Sequence, residues 1–411
     1  MLGGGRDARS RTTQAARGRR QIAPSLPLDV LVDIAARTDP ATFVRCAATC
    51  VDMRCRVKEY ISLRGPLRLR HGERFVLPLL RGHLIYRHRG WPMPREELFL
   101  VDTTAPDATK LRTATGGGIP LSSRDGLVLA RVGVAKELRV CDPATGRSLT
   151  LPSEPTFRWV SGINYVLIVS DNDEGVTPVG QHFHVVMAYL DTSQYRPHLK
   201  LRTYSSQHGV WGCYTEIQVP NLQGSRLLGR LNKPLVLGGA VHWFCLTDTG
   251  TYVLKLNVRA AKVMVTKLPK SFPHHGRHQK LLATSSMDGN VLLLVADGAK
   301  MSAWAQSKHT ALWQQRPHVV IDMTETILRF LDKAGGSCIP PTKPVQFNLV
   351  WFAERSGAVL ISACDGFFWL DLQSMEIVRW FSDRRVQYLT ENNIPYEMSL
   401  TAWVPTFSST L

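Results

Sequence analysis

Two periods divide this chain. Between Leu26 and Tyr60 apolar residues recur at three- and four-residue spacing; from about Leu67 they alternate with polar residues or run in short blocks between turns. Leu28, Leu31, Ile34 and Ala35 share one face of a predicted helix. Asp39-Pro40 predicts the next helix start, because Asp caps free amides and Pro suits the first turn. Behind it Phe43, Val44, Ala47, Cys50 and Val51 form a second stripe, and Asp52 is expected to cap a third helix through Met53 and Val57 towards Tyr60. Three helices in about thirty-five residues make too small a core to stand alone, so an apolar face is left for a partner.

The strand-like remainder carries a loose repeat. "LRVCDPATGRSLTLP" (138–152), "YVLKLNVRAAKVMVTKLP" (252–269) and "FFWLDLQSMEIVRW" (367–380) each read as strand, polar turn, strand. Residues 199–220 and 300–317 follow the same outline. Asp125-Gly126, Asp288-Gly289, Asp297-Gly298 and Asp365-Gly366 are hairpin signals, and "LVLGGAVHWFCL" (235–246) is a further Gly-led strand. Repeated antiparallel units of roughly fifty residues predict propeller blades of the kelch type, which bury their faces only by stacking in a ring. A β-sandwich is the competing architecture; five or more units favour the ring, with the blade count open. The expected fold class is therefore α+β, a small N-terminal three-helix unit followed by a large all-β, propeller-like domain. Its expected segments are a disordered basic arm at 1–22, helices at 23–62, a basic connector at 63–98 and the β domain at 99–411.

Composition narrows the function. With 44% hydrophobic and 20% charged residues the chain reads as globular. It has no apolar run long enough to span a membrane. The opening twenty residues lack the apolar region of a secretory signal, so the expected compartment is the cytoplasm, the nucleus or both. Net charge is +17, but residues 1–90 hold 18 Lys/Arg against 7 Asp/Glu, while the rest hold 32 against 26. A general nucleic-acid grip would have to come from the first ninety residues, and a solvated tail is the preferred reading of the arm.

No GxSxG, P-loop or Rossmann glycine pattern occurs, so no catalytic residue, cofactor or metal is expected. His182 and His184 would share a strand face, but no carboxylate or cysteine accompanies them at ligand spacing. His274, His275 and His278, and the acidic run Asp171, Asp173 and Glu174, read as exposed loops. The eight cysteines form no CxxC pair and read as free, buried thiols acting as small apolar residues. Trp304, Trp313, Trp351, Trp369 and Trp380 read as core between blades.

The helical stretch resembles an F-box. Leu26, Pro27, Asp29, Leu31, Ile34 and Arg37 match that family's pattern in order, followed by Val44, Arg45 and Cys50; Met53 stands where the family commonly has Trp. The "CDPATG" and "GGAVHW" strands are similar to the propeller-like associated domains of plant F-box proteins. The resemblance implies a non-catalytic substrate-recognition subunit of an SCF-type E3 ubiquitin ligase. Its helices would dock on a Skp-family adaptor, and through it a cullin, while the β domain would bind an unidentified target protein. Leu26, Pro27, Leu31, Ile34, Val44 and Cys50 are the implied adaptor-binding residues. The alternative is a basic module, with a propeller scaffold, binding nucleic acid or an acidic partner.

Overall fold

The computed structural model describes residues 26–37, 46, 49–64, 75–89, 95–103, 110–113, 118–133, 136–153, 157, 162–169, 179–192, 196–228, 231–273, 280–307, 312–333, 345–363, 366–381 and 393–398. The chain divides into two compact units, Met1–Tyr60 and Ile61–Leu411.

The first unit holds helix α1, Leu28–Arg37, and all but the last four residues of helix α2, Val51–Arg64. The Pro27 carbonyl accepts from the amides of Val30 and Leu31, which starts α1. The Cys50 sulfur accepts from the Met53 amide at 3.4 Å, standing in for a hydroxyl cap on α2. Val32, Ala35, Met53 and Val57 are buried, and Arg56 pairs with Asp29 at 3.3 Å. The helix expected between α1 and α2 lies for the most part outside the described residues.

The second unit is a six-bladed β-propeller, mostly β with few helices. Every blade is an antiparallel sheet. Blade 2 is β4 (Ile119–Arg124), β5 (Leu127–Val132), β6 (Glu137–Asp142) and β7 (Arg147–Thr150). Blade 3 is β8 (Asn164–Val169), β9 (Phe183–Asp191) and β10 (His198–Ser205), with β11 (Val210–Trp211) and β12 (Thr215–Gln218) both pairing with β10. Blade 4 is β13 (Leu235–Leu237), β14 (Ala240–Thr247), β15 (Gly250–Asn257) and β16 (Lys262–Lys267). Blade 5 is β17 (Leu281–Ser285), β18 (Val291–Asp297), β19 (Lys300–Ala305) and β20 (Val319–Asp322). Blade 6 is β21 (Phe347–Ala353), β22 (Ala358–Ala363), β23 (Gly366–Asp371) and β24 (Glu376–Phe381).

Blade 1 is assembled from both ends of the ring sequence. β1 (Leu80–Arg89), β2 (Arg95–Asp102) and β3 (Lys110–Thr113) are completed on their inner edge by β25 (Ile394–Glu397). β25 packs beside β4 and β21, so it joins the first and last blades. Here the expected boundaries shift: the stretch read as a basic connector, 63–98, contains all of β1 and the start of β2. Its alternation was the signal of a blade.

The repeat has a local cause. In blades 2, 4 and 6 the third and fourth strands are joined by four residues following Asp142, Asn257 or Asp371. Each of those side chains accepts amide hydrogen bonds from the turn, as Asp142 does from Ala144 at 2.9 Å and Asp371 from Gln373 at 3.1 Å. Each turn ends in a left-handed residue, Gly146, Ala261 or Met375.

The core lies between blades, with Trp243, Trp369, Phe244 and Phe347 fully buried. Trp304 and Trp313 are buried as expected, Trp351 is half-buried, and Trp380 on the outer strand β24 is exposed, a correction to its expected place in the core. An unexpected amphipathic helix, α3 (Met323–Lys333), follows blade 5; it buries Met323 and Ile327 and is capped by the Asp322 carboxylate, which accepts from the Glu325 amide at 3.1 Å.

Candidate functional site

Two features stand out, one in each unit. On α1, Val30 and Ile34 are 41% and 49% exposed; Leu26, just ahead of the helix, is 55% exposed, and Val51 at the start of α2 is 67% exposed. Val30 and Ile34 are four residues apart on the helix and so share one stripe, and exposed Leu26 lies two residues ahead of its start. The inward face belongs to Val32 and Ala35, which rotates Ile34 outward and leaves Leu28 and Leu31 half-buried. Of the residues singled out from sequence, Leu26, Pro27, Ile34 and Cys50 are exposed and Leu31 half-buried, while Val44 lies outside the described residues. Val30 and Val51 were not singled out as partner contacts, although the four-residue spacing to Ile34 carried the signal for Val30.

In the ring, the last residues of the inner strands converge on one mouth of the central channel. The Asp125-Gly126 pair, both with positive φ, makes a two-residue turn from β4 to β5. That turn holds Arg124 and Asp125 over the axis. Opposite them, Glu354 and Arg355 follow β21. Arg355 donates through Nε and Nη2 to both oxygens of Asp125, at 2.8 and 3.0 Å. Arg124 pairs with Glu354, whose other oxygen accepts from the Val236 amide at 2.9 Å. Burial favours a neutral Asp125, but the charge and hydrogen bonds of Arg355, with the charge of Arg124, outweigh it and hold the carboxyl below its ordinary range. Burial also works against the Arg124 charge, and Glu354 and Asp125 more than restore it. Blades 2, 4 and 6 are thereby tied together across the axis.

Glu397, on the closing strand, adds the third side. It accepts from the Ser356 amide and hydroxyl, both at 2.6 Å, and from the Arg355 amide at 3.1 Å. Its backbone carbonyl accepts from the Gly126 amide at 2.9 Å. Burial pushes its carboxyl up to about 7 against the downward pull of those hydrogen bonds. Deeper in the channel Lys233 reaches from blade 4 to the Val350 carbonyl of blade 6, with its ammonium 4.8 Å from the centre of the Trp351 ring. Part of the Lys233 surface stays accessible, yet its ammonium is ringed by protein, and burial lowers its pKa to about 8.

Beside this hub opens a cavity of about 520 Å³. One part of its wall is aliphatic, from Ile168, Val169, Val236 and Val258; Thr203, Ser285, Arg124, Glu354 and Arg355 also line it, as does exposed Arg259. His184 lines it as well, without a metal-like neighbourhood: among the described residues no three His, Cys, Asp or Glu side chains gather as metal ligands would. The other groupings noted in the sequence, His274, His275 and His278 with Asp171, Asp173 and Glu174, lie outside the described residues. Of the cysteines, Cys141 and Cys245 are buried and act as small apolar groups, whereas Cys213, Cys50 and Cys55 are exposed, against the expectation of buried thiols. Among the described residues no helix is long and apolar enough to cross a membrane.

Three comparisons bear on the chain. F-box protein DOR of Arabidopsis thaliana is 24% identical over 285 residues, 62% of this chain. The alignment spans 65% of that protein's own length. Among solved structures, TolB from Acinetobacter baumannii aligns over 82% of this chain and 70% of its own, at 13% identity and a TM-score of 0.38. Dipeptidyl peptidase 4 of Porphyromonas gingivalis aligns over 74% of this chain and 52% of its own, at 8% identity and a TM-score of 0.36. A match over residues 117–402, from just before β4 past the end of β25, carries the assignment: the chain belongs to the family described as a domain of unknown function (DUF7595).

Proposed function

We propose that this protein is a non-catalytic substrate-recognition subunit of an SCF-type E3 ubiquitin ligase, its helical unit docking on a Skp-family adaptor and its ring binding a target protein. The observation that carries this reading is the set of exposed apolar residues Leu26, Val30, Ile34 and Val51 in a helical unit ahead of a six-bladed ring in sequence. Its likeness to a protein named as an F-box protein supports the same reading. Covering the exposed half of each such side chain is worth roughly 1 kcal/mol, so the four together give about 4 kcal/mol. That alone corresponds to only about millimolar affinity, so these residues anchor a wider interface to which half-buried Leu28 and Leu31 contribute.

The test is co-purification with a Skp-family adaptor. Ile34→Asp and Leu26→Asp alter exposed positions and leave the folded unit intact, while placing a carboxylate in the interface. Each is expected to weaken capture at least tenfold with no change in the melting of the ring. Capture that is absent in the unaltered chain, or indifferent to both substitutions, would sink the ligase reading.

A further inference from the structure

The mouth cavity is asymmetric in what it offers a ligand. Its single lining carboxylate, Glu354, is spent: one oxygen takes the Arg124 guanidinium and the other the Val236 amide. The other side-chain acceptors that line the cavity, on Thr203, Ser285 and His184, are neutral, so no unpaired carboxylate faces a cation there. The guanidinium side is not exhausted. Arg124 bonds Glu354 through Nη1 and lies 3.6 Å from Asp125 through Nε, and its Nη2 has no partner among the described residues. Arg259, on the turn from β15 to β16, is exposed and has no carboxylate partner among the described residues. Half-buried Arg124 keeps its charge in a setting less polarisable than water, where its attraction for an anion is stronger than at an open surface. Beside these groups runs the aliphatic wall of Ile168, Val169, Val236 and Val258. The volume, about 520 Å³, lies within the range of pockets that enclose a ligand rather than graze it.

We propose that this cavity receives an acidic–aliphatic peptide segment of the target, with a Glu or Asp carboxylate against Arg124 and Arg259 and a neighbouring Leu, Ile or Val side chain on the aliphatic wall. The proposal rests on the reading of the ring as the recognition module. Arg124 is held in place by Glu354 and Asp125, so its side chain loses little entropy on binding, whereas exposed Arg259 is ordered by the ligand. An anion without an apolar neighbour leaves the wall uncovered, and an apolar peptide without a carboxylate leaves Arg259 without an acceptor and shuts water away from the open Nη2 of Arg124. Both features are needed together.

The experiment uses the full chain and a pool of fluorescent peptides randomised over Glu, Asp, Leu, Ile and Val, with a matched pool carrying Gln and Asn for the acids. Retention of the acidic pool is expected to exceed that of the amide pool at least tenfold and to fall with added salt. Arg259→Ala is expected to lower retention about fivefold, and Arg259→Glu to abolish it, without a change in melting, since the side chain is exposed. Equal retention of both pools, indifference to Arg259→Glu, or displacement by free phosphate as effective as by peptide would each overturn the proposal. The Ile34→Asp chain separates the two readings. If it loses the adaptor and keeps the peptide, both stand; if the unaltered chain captures no adaptor yet selects the acidic pool, only the ligase reading falls.

Discussion

At the scale of single residues, Glu397 concentrates the cost of closing the ring. Its carboxyl is buried among the amides of Arg355 and Ser356, and it titrates near 7 in the fold against 4.5 when exposed. Between those values the folded chain holds a proton that the unfolded chain has released, so stability contributed at this site falls as pH rises from about 4.5 to 7. The shift corresponds to about 3 kcal/mol. Two buried histidines act in the opposite sense. Burial lowers His83 to about 3 and His242 to about 4, so each favours folding above their ordinary value of 6.5 and loses that contribution as pH falls. The whole-protein profile mixes these effects, but a difference between two chains does not. Glu397→Gln keeps the acceptor oxygen facing Ser356 and removes the titration. Its stability relative to the unaltered chain, from denaturant unfolding, is expected to improve by up to about 3 kcal/mol between pH 5 and pH 8. A flat difference over that range would show that Glu397 is ionised throughout.

At the scale of elements, β1 shows what the sequence could and could not reveal. Its bulge between Leu80 and Gly82 lets the strand pair with β2 on one side and β25 on the other. Gly82 has a φ of +154°, and a Cβ there would stand 1.8 Å from the Val101 carbonyl oxygen. Gly82→Ala is therefore expected to cost about 3 kcal/mol or more, read as a lowered denaturation midpoint; an unchanged midpoint would mean that the bulge can shift to relieve the clash. The hairpins at 138–152, 252–269 and 367–380 were legible because their signals are local, alternation and the Asp or Asn that caps the turn. The stretch 199–220 holds β10 with its two short partners, whereas 300–317 holds β19 alone of its pair, since β20 begins at Val319. Blade 1 was not legible as a blade, because its inner strand is four residues lying some three hundred positions downstream. Its basic residues drew the reading of a connector. The mouth was hidden for the same reason. Arg124-Asp125-Gly126 reads as a turn, and nothing adjacent to it announces Glu354 or Arg355 as a partner. On α1 the three- and four-residue spacing identified the helix but misjudged its rotation, since Val32 and Ala35 compete with Leu31 and Ile34 for the inward face.

At the scale of the whole molecule, the folding unit extends beyond the segment that defines the family. The match over 117–402 includes β25 but omits β1, β2 and β3, to which β25 is bound. Those strands supply Leu80, Leu84, Ile85, Leu98, Leu100 and Val101, all buried, which cover Val350, Trp369 and Phe381 on blade 6 and Val128 and Cys141 on blade 2. At roughly 1.5–3 kcal/mol for each such side chain, losing six removes about 9–18 kcal/mol. That is comparable to the whole net stability of an ordinary domain, about 5–15 kcal/mol. A fragment of residues 117–411 should therefore fail to close, whereas residues 61–411 should unfold in one cooperative transition. Calorimetry and near-ultraviolet circular dichroism of the two fragments make the comparison, both lacking the helical unit. A cooperative transition in the shorter fragment would mean that five blades and a stray strand seal themselves, and that β1–β3 are an addition to the ring and not its clasp. If the shorter fragment instead stays open, the Glu397 network and the mouth beside it exist only once the two ends of the ring sequence have met. Recognition at the mouth is then coupled to closure, and the Glu397→Gln chain, closing more readily at pH 8, should retain acidic peptides over a wider range of denaturant than the unaltered one.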